Sequence, residues 1–192
     1  MLRHPEAHVS TIDLGLTYPV GNSPAAITAY VDAAFGNERS RRSRYGFAII
    51  LSRCLITWTT KSTTMVCLST GEAEFVAATE CGKSVMWLRN LLAEIGLPCS
   101  RPTPVFEDNQ ACVAMINNHM VTGRNHHFCI KMAWLRQQVA ARSLRFQFVA
   151  SKFNIADVFT KVVPDAAFCR LRELLLSPPA ATSKNAVPRG EC

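Results

Sequence analysis

The chain has 192 residues, a length that suits a single domain, and 48% of them are hydrophobic, enough for a packed core, which excludes wholesale disorder. Lysine and arginine exceed aspartate and glutamate by 21 to 14, and the net charge of +7 fits a nucleic acid or another anionic partner, although many other proteins are mildly basic. The longest apolar stretch, residues 46–51, is far shorter than the roughly 20 residues of a membrane span, and no secretory signal opens the chain. The sequence therefore predicts a protein of a reducing compartment, cytoplasmic or nuclear and not secreted, with no membrane partner.

The eight cysteines show no pairing pattern. No two of them are closer than 13 positions, so the sequence contains no CxxC pair and does not indicate a zinc ribbon. Several stand among apolar residues, as Cys112 does between Ala111 and Val113. We therefore expect thiols and small buried side chains rather than disulfides.

The hydrophobic pattern, followed in chain order, predicts a polar lead-in over residues 1–27 and then three strands joined by short turns, an antiparallel meander. A long helix follows, since Ser69-Thr70-Gly71-Glu72 is a capping box, and Gly96 and Pro98 should end this helix near Ile95. The remaining pattern predicts two more strands, several short helices and a disordered tail. This order is typical of one α/β domain with a mixed sheet. The predicted strands are 28–35, 45–51, 54–60, 103–108 and 144–149, the helices after the long one are 111–116, 128–140, 154–161 and 165–176, and the tail is 177–192.

Two acidic residues stand where apolar ones are expected. Asp32 lies inside the first predicted strand, where an unpaired carboxylate is costly, and a salt bridge to a buried arginine is the structural alternative. The long helix has an apolar stripe at Ala78, Cys81, Val85, Leu88, Leu92 and Ile95. Glu74 lies four residues before Ala78, at the head of this stripe, so we expect it to face the sheet. Its alternative is a charge that only interacts with the helix dipole, and Glu72 is already explained by the capping box.

Two further acids stand at element ends. Asp108 follows a short strand, a position at which open α/β sheets place their sites, and its alternative is a helix N-cap. Asp157 lies in the first turn of a predicted helix, where an acid is common without any function. Four converging carboxylates would repel one another unless cations lay between them, and hard oxygen ligands favour Mg²⁺ or Mn²⁺. Acids around two such ions form the kind of site that hydrolyses phosphodiesters.

Several motifs follow one another along the chain: Val31-Asp32-Ala33, Arg41-Arg42-Ser43 with Gly46, Trp58, Leu68 to Phe75, Trp87-Leu88-Arg89, Asp108-Asn109-Gln110-Ala111 and Asn154 to Lys161. In this order they resemble the ribonuclease H domain of the Pol polyprotein of copia-type LTR retrotransposons. The resemblance covers residues 28–176, and the segment 14–18 resembles the linker that follows the reverse transcriptase in such polyproteins. It departs at Ala34 and Phe35, at 127–129 and at Phe153, and no departure removes one of the four acids.

The resemblance implies a ribonuclease H-like fold, a five-stranded mixed sheet flanked by helices, with a linker remnant at 1–27. It implies cleavage of the RNA strand of RNA–DNA hybrids by a domain that accompanies a reverse transcriptase, in the virus-like particle of the parent element or in the nucleus. The residues that would bind two Mg²⁺ or Mn²⁺ ions and act in catalysis are Asp32, Glu74, Asp108 and Asp157.

The expected contacts with nucleic acid come from two segments, Arg41, Arg42 and Ser43 in the basic turn, and Asn109 and Gln110 beside Asp108. A solvated basic turn is the alternative for the arginines, and the roles of His119, His126 and His127 stay open between metal or product contacts and plain loop positions. Because Met1 lies within what resembles a linker, a truncated reading frame is expected. Two rivals therefore remain: an inert relic or nucleic-acid-binding fragment, and an exonuclease of the same broad superfamily.

Overall fold

The computed structural model describes residues 15, 16, 18, 26–64, 66–117 and 126–176. The predictions for His119 and for the tail at 177–192 fall outside these ranges, and so do those for the side chains of His126 and His127. No helix within the described ranges has the length and apolar character that crossing a membrane requires. The elements in chain order are β1 (Ile27–Ala34), β2 (Arg44–Leu51), β3 (Cys54–Ser62), α1 (Thr70–Glu94), β4 (Thr103–Glu107), α2 (Gln110–Asn117), α3 (His126–Ala140), β5 (Leu144–Phe148), a 3-10 turn (Ser151–Phe153), α4 (Asp157–Thr160) and α5 (Asp165–Leu176).

The five strands form one mixed sheet in the order β3-β2-β1-β4-β5, which confirms the predicted fold. The first three strands are the predicted antiparallel meander, and β4 and β5 then add in parallel to β1 and to each other. Val31 pairs with Glu107 in the β1–β4 ladder, so Asp32 and Asp108, each one residue further, lie side by side at the same end of the two strands. In the β1–β2 pair Asp32 stands opposite Gly46.

The long helix α1 begins and ends as its sequence indicates. Ser69 is the N-cap, its hydroxyl accepts from the Glu72 N–H at 3.2 Å, and the Glu72 carboxylate accepts from the Leu68 N–H at 2.6 Å. Gly96, at φ +81°, follows the last turn, a left-handed position that suits glycine. The predicted stripe is buried against the sheet at Ala78, Cys81, Val85, Leu88 and Leu92.

One member of that predicted stripe is wrong. Ile95 is 62% exposed, because the helix ends there and the backbone turns away at the cap. Cys54, Cys67, Cys81 and Cys112 are buried free thiols, as the sequence predicts.

The opposite face of the sheet is covered by α4 and α5. Ala48, Leu55, Ile155, Leu171 and Leu175 form a second apolar cluster there. The predicted helix over 154–161 is shorter, since only Asp157–Thr160 is α-helical. The side chain of Asn154 replaces the missing helical bonds, with Oδ1 accepting from the Ala156 N–H at 3.1 Å and Nδ2 donating to the Val31 carbonyl at 2.9 Å.

Part of the predicted linker contacts this face. Leu16 packs against the second apolar cluster, and the Tyr18 hydroxyl donates to the Leu55 carbonyl at 3.2 Å. These two residues of the 1–27 segment therefore lie on the domain.

Candidate metal centre

Three of the four predicted acids meet at one end of the sheet. Asp32 comes from β1, Glu74 from the start of α1 and Asp108 from the residue after β4. Each offers one carboxylate oxygen, and the three oxygens all lie within 4.8 Å of one another. This convergence depends on the parallel pairing of β1 with β4 and on α1 crossing above them.

The fourth acid, Asp157, is connected to the other three through a lysine. Its Oδ1 lies 3.0 Å from Nζ of Lys161, and the same ammonium lies 3.6 Å from Oδ1 of Asp32. Asp157 is not one of the three that converge within 4.8 Å. The site thus consists of a triad, Asp32, Glu74 and Asp108, and of a pair, Asp32 and Asp157, bridged by Lys161. Sequence reasoning missed Lys161, although its i,i+4 spacing from Asp157 indicates an ion pair.

The electrostatics of the triad favour a cation. Burial raises the pKa of Glu74, and the charges of Asp32 and Asp108 raise it further. Burial also raises the pKa of Asp32, although Lys161 and the Thr160 hydroxyl lower it in part. Carboxylates that are held together and shielded from water are stabilised by a positive charge between them.

The donor set fits a hard divalent ion. All the ligand atoms are carboxylate oxygens, which Mg²⁺ and Mn²⁺ prefer. Oε2 of Glu74 is buried and has no hydrogen-bond partner among the described residues, so a lone pair remains for a ligand. Asp32, Glu74 and Asp108 could together hold such an ion.

The pKa of the Asp157 carboxyl is raised less than that of Glu74. Burial and the Asp32 charge raise its pKa to about 6, while Lys161 acts in the opposite direction. The Thr160 hydroxyl, from the same short helix, donates to Oδ2 of Asp32. The helix α4 therefore brings one acid, one ammonium and one hydroxyl to the edge of the triad.

Glu107 is a buried acid that sequence reasoning overlooked. It is fully buried, its Oε1 accepts from the Asn109 N–H at 3.1 Å, and its Oε2 has no hydrogen-bond partner within the described part of the chain. Burial, followed by the charge of Glu74, raises its pKa well above the usual range. The signal was present in the alternation of β4, because Glu107 is in phase with the buried Thr103 and Val105.

Gly46 explains how α4 approaches the sheet so closely. A Cβ at this position would lie 2.5 Å from Cβ of Phe159, 3.1 Å from Cγ2 of Thr160 and 3.2 Å from the Thr59 carbonyl. The Thr60 hydroxyl also donates to the Phe159 carbonyl at 2.6 Å. A glycine on β2 thus allows α4 to lie directly beside Asp32.

The predicted nucleic-acid contacts are distributed unevenly. Arg41 and Arg42 are exposed on the turn between β1 and β2, and Gln110 is exposed at the start of α2. Asn109 uses Oδ1 to accept from the Cys112 N–H at 2.9 Å, so this side chain caps α2 and Asp108 does not.

The expectation for Ser43 needs correction. Ser43 is fully buried, its hydroxyl accepts from the Gly36 N–H at 3.1 Å, and its N–H donates to the Thr63 hydroxyl at 3.2 Å. A side chain enclosed in this way supports the turn from inside and cannot contact a ligand on its surface.

Solved structures with the same fold are ribonuclease H domains. The N-terminal RNase H domain of a Mycobacterium tuberculosis protein, solved as a fusion with maltose-binding protein, matches with a TM-score of 0.51 at 14% identity, covering 76% of this chain and 98% of that one. LC11-RNase H1, solved in complex with an RNA/DNA hybrid, matches with a TM-score of 0.54 at 15% identity, covering 74% of this chain and 99% of that one. The chain therefore has the ribonuclease H fold.

Its homologues are the Pol polyproteins of retrotransposons. The retrovirus-related Pol polyprotein from transposon TNT 1-94 of Nicotiana tabacum is 35% identical over 156 residues, which is 81% of this chain and 12% of the polyprotein. The corresponding polyprotein from transposon RE2 of Arabidopsis thaliana is 28% identical over 159 residues, 82% of this chain and 11% of that protein. The chain thus spans about an eighth of the length of these relatives, and no protein-family model matches it.

Proposed function

We propose that this chain is a ribonuclease H that hydrolyses the RNA strand of RNA–DNA hybrids with divalent metal ions. The observation that carries this proposal is the triad Asp32, Glu74 and Asp108, whose oxygens lie within 4.8 Å of one another at the edge of a ribonuclease H fold. Homology to Pol polyproteins and the hybrid bound to LC11-RNase H1 support this substrate over single-stranded RNA.

The residues of the site would divide the work. Asp32, Glu74, Asp108 and Asp157 would hold Mg²⁺ or Mn²⁺, and such ions supply an activated water and stabilise the leaving oxygen. The carboxylates need not move protons, because they bind ions and fix their positions. Thr160 and Asn154 orient Asp32 and the Asp157 segment through their hydrogen bonds.

The exposed groups around the site would bind the hybrid. Arg41 and Arg42 would contact backbone phosphates, and Gln110, two residues after Asp108 at the exposed start of α2, would contact the hybrid beside the triad. We further propose that the domain acts beside a reverse transcriptase of the same polyprotein, in the cytoplasmic particle of its parent element or in the nucleus.

The direct test is cleavage by the purified full chain. We expect a labelled RNA–DNA hybrid to be cut internally with Mg²⁺ or Mn²⁺, leaving 5′-phosphate ends, while single-stranded RNA and duplex DNA stay intact. Asp108→Asn should abolish cleavage, whereas Asp165→Asn, which removes an exposed acid from the first turn of α5, should not. A folded protein that binds the hybrid but does not cut it in either metal would favour the inert nucleic-acid-binding fragment. Release of mononucleotides from an end would favour the exonuclease.

A further inference from the structure

An ammonium group already bridges two carboxylates of the candidate site. Nζ of Lys161 lies 3.0 Å from Asp157 and 3.6 Å from Asp32. The Asp32 side chain is only 2% exposed, whereas that of Lys161 is 43% exposed. The positive charge therefore reaches a buried acid from the solvent side.

The backbone holds Lys161 at this position without enclosing its side chain. Its N–H donates to the Asp157 carbonyl at 3.1 Å and closes α4, and its own backbone is extended at φ −139° and ψ 159°. The short helix thereby fixes where the lysine side chain starts, and the side chain reaches its two acids through an ion pair that faces water. An ammonium held in this way can leave when a stronger cation arrives.

Asp32 is the carboxylate that the triad and the Lys161-bridged pair share. Among the described residues, Lys161 forms ion pairs within 4.0 Å with Asp32 and Asp157 and with neither Glu74 nor Asp108. An ion among Asp32, Glu74 and Asp108 therefore meets the lysine at Asp32 alone, on one of its three ligands. A second ion that joins Asp32 to Asp157 would need the position that the ammonium takes. Two cations at one position exclude each other, and the divalent ion must displace the lysine.

We propose that Lys161 is a built-in occupant of the second cation position, which forces two divalent ions to load in sequence, first at the triad and then, against the lysine, between Asp32 and Asp157. This inference rests on the two-ion site of the proposed function and assigns a regulator of its occupancy. While the second ion is absent, the ammonium balances the negative charges of Asp32 and Asp157. When the ion is present, the ammonium competes with it and weakens its binding.

The first test counts Mn²⁺ ions bound to the full chain by isothermal titration calorimetry and by electron paramagnetic resonance of free Mn²⁺, with no nucleic acid present. We expect one tight and one weaker ion in the wild type. Lys161→Met should strengthen the weaker ion by about tenfold, equivalent to about 1.4 kcal/mol, and leave the first little changed. Lys161→Arg, which keeps the charge, should bind Mn²⁺ like the wild type.

The matched control is Lys83→Met. Lys83 forms an ion pair with Glu80 at 2.7 Å on the exposed face of α1, so this variant loses the same charge and one ion pair elsewhere. Its Mn²⁺ isotherm should equal that of the wild type. The inference is wrong if Lys161→Met binds Mn²⁺ like the wild type, or if both ions bind it more weakly, as loss of a structural support would cause.

A second measurement needs no variant and covers the case in which Lys161→Met fails to fold. The lysine ammonium groups of the wild-type chain can be followed by proton–nitrogen correlation spectroscopy during titration with Mg²⁺. One protected ammonium signal should persist through the first equivalent and change only as the second ion binds. Its loss with the first equivalent, or the lack of a protected signal, would overturn the inference.

Neither measurement uses cleavage, which separates the two proposals. An inactive chain whose weaker Mn²⁺ site responds to Lys161→Met would refute the enzyme and retain the cation competition. An active chain with an unresponsive isotherm would do the reverse.

Discussion

Glu72 and Glu74 lie two positions apart on α1 and have different surroundings. Glu72 accepts from the Leu68 N–H at the helix start, on a partly exposed face. Glu74 is buried, it contributes one oxygen to the triad, and its Oε2 has no hydrogen-bond partner among the described residues. A helix turns by about 100° per residue, so a step of two residues is enough to separate a structural acid from a candidate metal ligand.

This difference predicts opposite effects of two identical substitutions. Loss of a residue that only hydrogen-bonds to a metal ligand lowers activity roughly 10–100-fold. Glu74→Gln should lower hybrid cleavage by more than this, because the proposed ligand oxygen itself loses its charge. It should leave metal-free stability nearly unchanged, since the raised pKa of Glu74 already favours its neutral form.

Glu72→Gln should keep most of the activity and cost no more than about 0.5–1 kcal/mol through the capping box. Cleavage rates and thermal melts of both variants check these expectations. If Glu72→Gln were the inactive variant, the assignment of the two faces of α1 would be wrong.

At the scale of elements, the position of α4 on β2 determines where Asp157 and Lys161 lie. Phe159 and Thr160 contact the sheet at Gly46, which stands opposite Asp32 in the next strand. Asn154 fixes the preceding segment by its bond to Val31, the neighbour of Asp32 in β1. Both contacts connect the fourth acid to the strand that carries the first one.

Gly46→Ala should therefore disturb both stability and the site. Its Cβ would overlap Cβ of Phe159, and overpacking of this kind costs about 1–3 kcal/mol. The shift of α4 should also lower the cleavage rate. Gly71→Ala is the control, because the one described atom within 4 Å of its Cβ would be Cε of Met115 at 3.8 Å, and a helical alanine is favoured over glycine. Equal melting temperatures for the two variants would show that α4 does not need the close approach.

The turn between β1 and β2 is the second element with a testable role. Arg44 is engaged with Glu38 at 2.6 Å, whereas Arg41 and Arg42 are exposed. If both exposed arginines bind phosphates, replacing them with alanine should lower the salt-dependence slope of hybrid binding by about 0.9 for each phosphate that is no longer neutralised, or somewhat less on a hybrid.

The matching control replaces Arg101 and Arg145, exposed arginines near the start of β4 and β5, at the other end of these strands from the site. Binding measured over a series of salt concentrations should show the wild-type slope for this pair. A wild-type slope for the Arg41 and Arg42 variant would return the turn to a solvated basic surface.

Local signals predicted most of the elements. The alternation in β5 and the capping box of α1 act within a few residues, so the sequence alone indicates them. The helix predicted over 154–161 was too long because a side chain, that of Asn154, supplies bonds that a pattern of apolar residues does not reveal. Ser43 was misjudged for a similar reason, since its burial follows from the packing of the turn on Thr63.

For the whole molecule, the sequence singled out the four acids and could not show how they are arranged. The triad depends on the register of β1 with β4, and the separate place of Asp157 depends on the packing of α4. The net charge of +7 is spread over the chain, while Asp32, Glu74 and Asp108 are concentrated at one edge. The fold thus holds like charges close together, and protonation of the carboxylates or binding of a cation reduces their repulsion.

This arrangement predicts a pH-dependent stability that metal ions reverse. Burial and the Asp32 charge raise the folded-state pKa of Asp157 to about 6, and burial raises those of Glu74 and Asp32. In the unfolded chain these groups titrate near their ordinary values of about 4. From about pH 4 upward to about pH 6, and for Glu74 beyond it, the folded state therefore binds more protons than the unfolded state. The free energy of unfolding consequently falls as pH rises through this range.

Metal-free melts of the full chain should accordingly show a lower melting temperature at about pH 8 than at about pH 5. Mg²⁺ should raise it more at the higher pH, because the ion binds the charged carboxylates, and at ten times its dissociation constant it adds about 1.4 kcal/mol.

Asp32→Asn should raise the metal-free melting temperature at the higher pH, since it removes one charge from the cluster, and should reduce the Mg²⁺ effect. Asp165→Asn, at the exposed start of α5, should leave the Mg²⁺ effect unchanged. If Asp32→Asn melted lower without metal, the bonds of Asp32 to Thr160 and Lys161 would outweigh the repulsion, and Asp32 would stabilise the fold as an ion-pair partner.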